Sequence, residues 1–384
     1  MRRPIYLDYN ATTPHDPKVI DAMRPFLEGC FGNPSSSHAF GSEAKVAVNK
    51  AREQVASALG AVPEEIVFTS GGTESNNHAI KGAAWAGSGR GKHIITSSIE
   101  HPAVLDVCKW LTQHGFEITV LPVDQTGLVD PDDLRQAIRG DTILVTIMHA
   151  NNEVGTIQPI RALSDIAHSR GALMHTDAAQ SVGKIAVDVE ELGVDLLSTA
   201  GHKLYAPKGV GALYIRRGVN IEKFMHGAGH EQDRRAGTEN VLEIVGLGKA
   251  FEIARLDLEK NALHMHAMRE RLYCGLIGKV SDLRMNGHIE KRLPNTLSVG
   301  FSGIDANALL LAIKDDVAAS AGSACHSGGI QISPVLKAMN VPAERARGTV
   351  RFSTGRKTTA DEIDFAVEVV ARAVKGEVSG KKRW

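Results

Sequence analysis

Leu196-Leu197-Ser198-Thr199-Ala200-Gly201-His202-Lys203-Leu204-Tyr205-Ala206-Pro207-Lys208-Gly209 is the stretch from which the fold is read. An apolar run tapers into small residues and then presents a histidine and a lysine before a Pro-Lys-Gly turn. This is the pattern of a buried strand whose far end opens into a polar loop. Lys203 is either a solvated loop lysine or an amine held at a strand end for chemistry. The rest of the chain decides between the two.

Upstream, short apolar runs recur at Ile66-Val67-Phe68, Ile94-Ile95-Thr96, Ile118-Thr119-Val120-Leu121, Ile143-Leu144-Val145-Thr146-Ile147 and Ala172-Leu173-Met174. Helical spacing fills most of the gaps, near 73–86, 102–114, 130–139 and 160–169, the alternation of a mainly parallel sheet covered by helices. Gly211-Ala212-Leu213-Tyr214-Ile215 follows Lys203 too closely for a helical crossover and is expected to run antiparallel. Helical patterns precede this region at 17–28 and at 42–60, the second ending at Gly60. Beyond it, one long helical stretch spans about 240–274. Strand-like segments at Leu297-Ser298-Val299 and Thr349-Val350-Arg351-Phe352-Ser353 then mix with helices near 305–315 and 360–375. The fold class is therefore α/β. The expected division is a large domain over 14–255, and a smaller α+β domain made of 1–13 plus 256–384.

What stands after each run is informative. Gly71-Gly72-Thr73-Glu74, Glu100-His101, Asn151-Asn152-Glu153, Asp177-Ala178-Ala179-Gln180 and His202-Lys203 each follow an apolar segment. In open parallel sheets ligands sit beyond the carboxyl ends of the strands. Five polar clusters at five such ends imply one shared site.

Composition narrows the function classes. Among 384 residues, 44 Lys plus Arg balance 44 Asp plus Glu, so no net charge draws the chain to nucleic acid or to an anionic membrane. No apolar stretch approaches a membrane span and no signal-peptide core follows Arg2-Arg3, which points to the cytoplasm. Cys30, Cys108, Cys274 and Cys325 lie far apart with no CxxC pair, against a zinc site or a disulfide framework. His175 and Asp177 share a strand face but have no third ligand at recognisable spacing, so no metal is expected. There is no GxxxxGK[ST], and Gly87-Ser88-Gly89-Arg90-Gly91 precedes a strand rather than following one, which excludes the two common nucleotide fingerprints.

The remaining chemistry converges on the lysine. Gly71-Gly72-Thr73, where a strand feeds a helix, offers backbone N–H groups to a phosphate or forms an ordinary tight turn. An amine such as Lys203 can form a Schiff base with an aldehyde cofactor. Asp177 can pair with a protonated ring nitrogen and Gln180 with a ring oxygen. His101 can lie on a ring or shuttle a proton, or be a packing residue. Arg351 can hold a substrate carboxylate with its planar fork, or form a surface ion pair. Cys325 sits in Ala321-Gly322-Ser323-Ala324-Cys325-His326-Ser327-Gly328, too short in side chain to bury it firmly, and beside a histidine that can favour its thiolate.

Together these segments resemble the pyridoxal-phosphate-dependent (PLP-dependent) cysteine desulfurases of the NifS and IscS type, a class V branch of the aspartate-aminotransferase-like enzymes with the type I PLP fold. The resemblance runs from Tyr6-Leu7-Asp8-Tyr9-Asn10-Ala11-Thr12-Thr13 to Val350-Arg351-Phe352-Ser353. It includes Phe68-Thr69-Ser70-Gly71-Gly72-Thr73-Glu74-Ser75-Asn76-Asn77, His175-Thr176-Asp177-Ala178-Ala179-Gln180, Gly201-His202-Lys203, Arg235-Ala236-Gly237-Thr238-Glu239-Asn240 and Gly322-Ser323-Ala324-Cys325. It implies that Lys203 holds the cofactor covalently and later moves protons, with His101 stacked on the ring, Asp177 on its nitrogen and Gln180 on its hydroxyl. Gly72, Thr73 and His202 would hold the phosphate, and Thr238 would reach it from the second subunit of a homodimer. Asn152 and Arg351 would grip the carboxylate of L-cysteine. The Cys325 thiolate would take its sulfur as a persulfide for an acceptor protein, such as an iron–sulfur scaffold or a thiolation enzyme, and leave L-alanine. Cys325-His326-Ser327 also resembles selenocysteine lyases, the alternative activity. Ala200 stands where relatives often carry a serine that bonds the phosphate.

Overall fold

The computed structural model of the protein describes residues 3–321 and 332–381; Cys325 lies outside the described residues. The chain opens with a two-residue strand, β1 (Ile5–Tyr6). The apolar runs then become β2 (Ile66–Thr69), β3 (His93–Ser97), β4 (Glu117–Leu121), β5 (Thr142–Thr146), β6 (Leu173–Asp177), β7 (Leu196–Ala200) and β8 (Gly211–Ile215). They form one sheet in the order β2-β8-β7-β6-β5-β3-β4. Neighbours from β7 to β4 pair in parallel, while β8 runs antiparallel to both β7 and β2. Two reversals cancel, so β2 points the same way as β7 and its carboxyl end joins theirs. The antiparallel β8 expected from its short connection is present, and it brings the glycine turn after β2 to the lysine after β7.

β3, β5 and β7 are buried along their whole length, as strands covered on both faces must be. Edge strand β4 is only partly buried and carries Glu117 and Thr119, charged and polar cover for an open edge. Helices pack where the spacing places them. Residues Pro17–Glu28 and Ile160–Ser169 match the expected bounds, and the helix Ala39–Leu59 stops at Gly60, which takes the left-handed conformation (φ 70°). The expected long helix over 240–274 is instead two helices, Val241–Leu256 and Leu258–Ile277, meeting at Asp257. Both segments keep helical spacing, so periodicity alone does not reveal the break. The first packs on the helices at 17–28 and 39–59, the second on the C-terminal helix Ala360–Lys381.

Four further strands, β9 (Leu283–Asn286), β10 (Thr296–Phe301), β12 (Ser320–Ala321) and β13 (Thr349–Ser353), form an antiparallel sheet in the order β12-β13-β10-β9. β1 pairs in parallel with β11 (Val317–Ala318), the strand just before β12. A second apolar cluster, including Leu7, Leu272, Val299, Phe301, Val350, Phe352 and Ile363, lies between this sheet and its helices. In β13 the two-residue period sends Val350 and Phe352 into that cluster and turns Arg351 to the opposite face.

Candidate active site

A cavity of about 250 Å³ opens at the carboxyl ends of the parallel strands. Its wall includes Gly72, Thr73, His101, Asn152, Asp177, Gln180, His202, Lys203 and Arg351, nine of the residues singled out in the sequence, together with Asn10, Ala11 and Asn76. Thr238 is exposed and is absent from that wall. Cys325 is outside the described residues.

Lys203 closes a single 3-10 turn after β7. Its Nζ donates to the main-chain oxygens of Asn10 (2.7 Å) and Ala11 (2.6 Å). Burial, reinforced by Arg351 and partly offset by Asp8 and Asp177, brings its pKa down to about 8. A lysine so placed is neutral, and nucleophilic, over a much larger fraction of the neutral range than an exposed one.

Around the amine each group is held by a second contact. Asp177, at the end of β6, accepts from Asn76 Nδ2 (2.7 Å) and from the Ala179 main chain (2.9 Å). Gln180 Nε2 donates one hydrogen to the Asn10 carbonyl (3.0 Å), and its Oε1 accepts from the buried Lys184 (2.8 Å), so its second N–H is free for a ligand. His101 caps the helix Pro102–Thr112 by accepting from Ala103 N at Nδ1 (3.1 Å). Burial lowers its pKa, so the neutral ring carries its proton on Nε2. His202 lies within 3.2 Å of the Thr12 hydroxyl, and burial with Lys203 and Lys208 nearby brings its pKa to about 4. Behind His101, burial raises buried Glu100 to about 8 against the bonds it accepts from Ser97 Oγ (2.5 Å) and Met148 N.

At the other end, Gly71 turns β2 into the helix Gly72–Gly87 with φ 145°, a conformation that favours glycine. A Cβ on Gly72 would lie 3.2 Å from that of Ala200. The small residue at 200 therefore lets the helix N-terminus approach β7 closely. Arg351 on β13 donates from Nη2 to Asp8 (2.7 Å) and from Nη1 to the Asn152 carbonyl (3.1 Å), so its ion pair is part of the site and not on the surface.

These residues fit an aldehyde-bearing aromatic phosphate. Among the described residues the amine has only neutral carbonyl partners, and Asn76 Oδ1 and Arg351 Nε are buried without partners; the helix N-terminus faces the same cavity. Sequence reasoning assigned no role to Asn10, Ala11, Asn76 or Asp8. The carbonyls of Asn10 and Ala11 carry no residue-type signal. Asn76 is buried beside Ser75 on the covered face of its helix, a position that its residue type does not reveal.

The aminotransferase class-V family model matches residues 5–365. Cysteine desulfurase IscS of Dictyoglomus turgidum (strain DSM 6724 / Z-1310) is 51% identical over 376 residues, covering 98% of this chain and 95% of that protein. A solved NifS-like protein superposes with a TM-score of 0.92 at 40% identity, covering 98% of this chain and all of the other. The structure of SspA in complex with cysteine does so with a TM-score of 0.81 at 37% identity, over 92% of this chain and 99% of the other.

Proposed function

The chain belongs to the aminotransferase class-V family, and we propose that it works with PLP as a cysteine desulfurase, turning L-cysteine into L-alanine and passing the sulfur on through Cys325. The observation that carries this reading is the convergence of an otherwise unpaired, pKa-depressed amine, Lys203, with Asp177, His101 and a helix N-terminus in one cavity. It stands in a chain about half identical to a cysteine desulfurase.

When bound, PLP supplies an aldehyde for the amine and a cationic ring that draws electrons from the substrate carbon. The chain's residues do the rest. Lys203 would hold the aldehyde through its amine and, once free of it, would move a proton at the substrate carbon. Asp177, fixed by Asn76 and Ala179, would pair with the ring nitrogen, and the free N–H of Gln180 would bond the ring oxygen. His101 would pack on the ring with Nε2–H available to move a proton. The main-chain N–H groups of Gly72 and Thr73, with His202, take the phosphate. Asn152 and Arg351 receive the substrate carboxylate. The Cys325 thiolate attacks the substrate sulfur; the carbon–sulfur bond breaks, its electron pair stays on carbon and is taken up by a proton, and a persulfide remains on the enzyme.

Thr238, exposed on its own chain, is assigned to the phosphate of a second copy. Its segment is tied to the helix N-terminus by Arg235, which pairs with Glu74 at 2.8 Å. The partners proposed are accordingly a second copy of the chain and a sulfur-accepting protein, an iron–sulfur scaffold or a thiolation enzyme. Among the described residues no helix is long and apolar enough to cross a membrane. The cytoplasm, which keeps thiols reduced, is the proposed compartment. The test is Cys325→Ala. The variant is expected to keep its cofactor colour and lose sulfide release from cysteine. Release at the original rate without added thiol would sink the proposal.

A further inference from the structure

An arginine offers a carboxylate two edges from which two N–H groups point in parallel, Nε with Nη2 and Nη1 with Nη2. Nη2 serves both edges, with one N–H on each. In this site one N–H of Nη2 of Arg351 is bonded to Asp8 Oδ1 at 2.7 Å, one of Nη1 to the Asn152 carbonyl, and the buried Nε has no partner among the described residues. Arg351 thus keeps donors for a further acceptor, but beside a carboxylate that already shares its charge.

Asp8 is firmly placed. Its Oδ2 accepts from Ser320 Oγ (2.9 Å). The preceding Leu7 is fully buried and held on both sides, donating to Ala318 (2.8 Å) and accepting from Ser353 (2.7 Å). The side chains of Arg351 and Asp8 are only 10% and 17% exposed, so water screens the pair poorly.

We propose that Asp8 is an internal stand-in for the substrate carboxylate, competing with it for the charge and the Nη2 donors of Arg351 and recovering its full hold as product leaves. This rests on the reading that Arg351 receives the substrate carboxylate. A ligand with a carboxylate sets a second anion against the one that Arg351 already holds. A ligand without one leaves the Asp8–Arg351 pair intact and gains nothing from the arginine. Asp8 therefore weakens the hold on every amino acid and protects the site from retaining its own product, while keeping Arg351 neutralised between turnovers.

The test is calorimetric titration of the PLP-loaded protein with L-alanine and with L-alaninamide, which keeps the amine and lacks the carboxylate. In Asp8→Asn, which preserves shape, alanine is expected to bind roughly tenfold tighter, the scale of one charge-assisted hydrogen bond. Alaninamide should bind as it does to the parent, which also reports an intact site. In Arg351→Gln, alanine should bind more weakly. Unchanged or weaker alanine binding in Asp8→Asn, with Arg351→Gln impaired, overturns the proposal and leaves the carboxylate reading standing. Unchanged alanine binding in Arg351→Gln overturns both.

Discussion

Titrating the cofactor-free protein tests the central electrostatic claim, that burial converts Lys203 into a ready nucleophile. An exposed lysine has its pKa near 10.5, and in this site burial, reinforced by Arg351, brings it to about 8. The neutral form is the reactive one, and its fraction rises with pH. At pH 8 about half of Lys203 is neutral, against about 0.3% of an ordinary lysine, an advantage of about 150-fold. The assay is the single-turnover rate at which excess PLP colours the apoprotein, followed from about pH 6 to pH 10. The rate is expected to rise tenfold per unit at first, to bend near pH 8 and to level off above it. In Arg351→Gln the bend should move upward, since a neighbouring positive charge has been removed. A rate that climbs without a bend to pH 10 would refute the argument, because it would mean that Lys203 titrates as if in water.

Two further outcomes concern stability. Glu100 is fully buried, and its folded pKa of about 8 stands above its ordinary 4.5. The folded state then binds the extra proton between those values, and stability falls as pH rises through that window. Glu100→Gln mimics the protonated group, so its denaturant stability relative to the parent should improve by a few kcal/mol, on the order of 1.4 per pH unit, between about pH 5 and 8; an identical difference at both pH values would contradict this. Arg52 grips Glu231 with both arms at 2.7 Å, and Glu231 also accepts from Phe68 N within β2. Arg52→Ala strands a buried carboxylate and should cost about 3–5 kcal/mol in urea unfolding, with part regained in Arg52→Ala/Glu231→Gln. A loss below about 1 kcal/mol would show the pair to be well solvated.

Much of the sheet was legible because its strands are buried on both faces. Such strands read as unbroken apolar runs, and Ile94-Ile95 and Leu196-Leu197 carry the signal without help from alternation. The reversed β8 was legible from chain length alone. The break at Asp257 was not, because both halves keep helical spacing and only their different packing partners separate them. In the site, residue types announced themselves where their chemistry is unusual at a strand end, as for Asp177, His101 and Lys203. Second contacts did not. Asn10 meets Lys203 across 193 positions and Asn76 meets Asp177 across 101, and nothing local at either residue encodes the meeting.

The same limit explains what the sequence left undecided about Lys203. It points to a lysine, an arginine and Asp177 at one site, the fold adds Asp8, and several pairings of these charges are chemically reasonable. Had Asp8 or Asp177 paired directly with the lysine, its ammonium form would have been stabilised and the amine kept protonated. The fold instead commits Asp8 to Arg351 and ties Asp177 to Asn76 and Ala179, and it gives Lys203 two neutral carbonyls. Carbonyls restrain the amine in direction while giving its charge far less support than a carboxylate would. Assigning the carboxylates elsewhere is therefore what makes Lys203 reactive, and that assignment depends on β1 and β13 bringing residues 8 and 351 together from opposite ends of the chain.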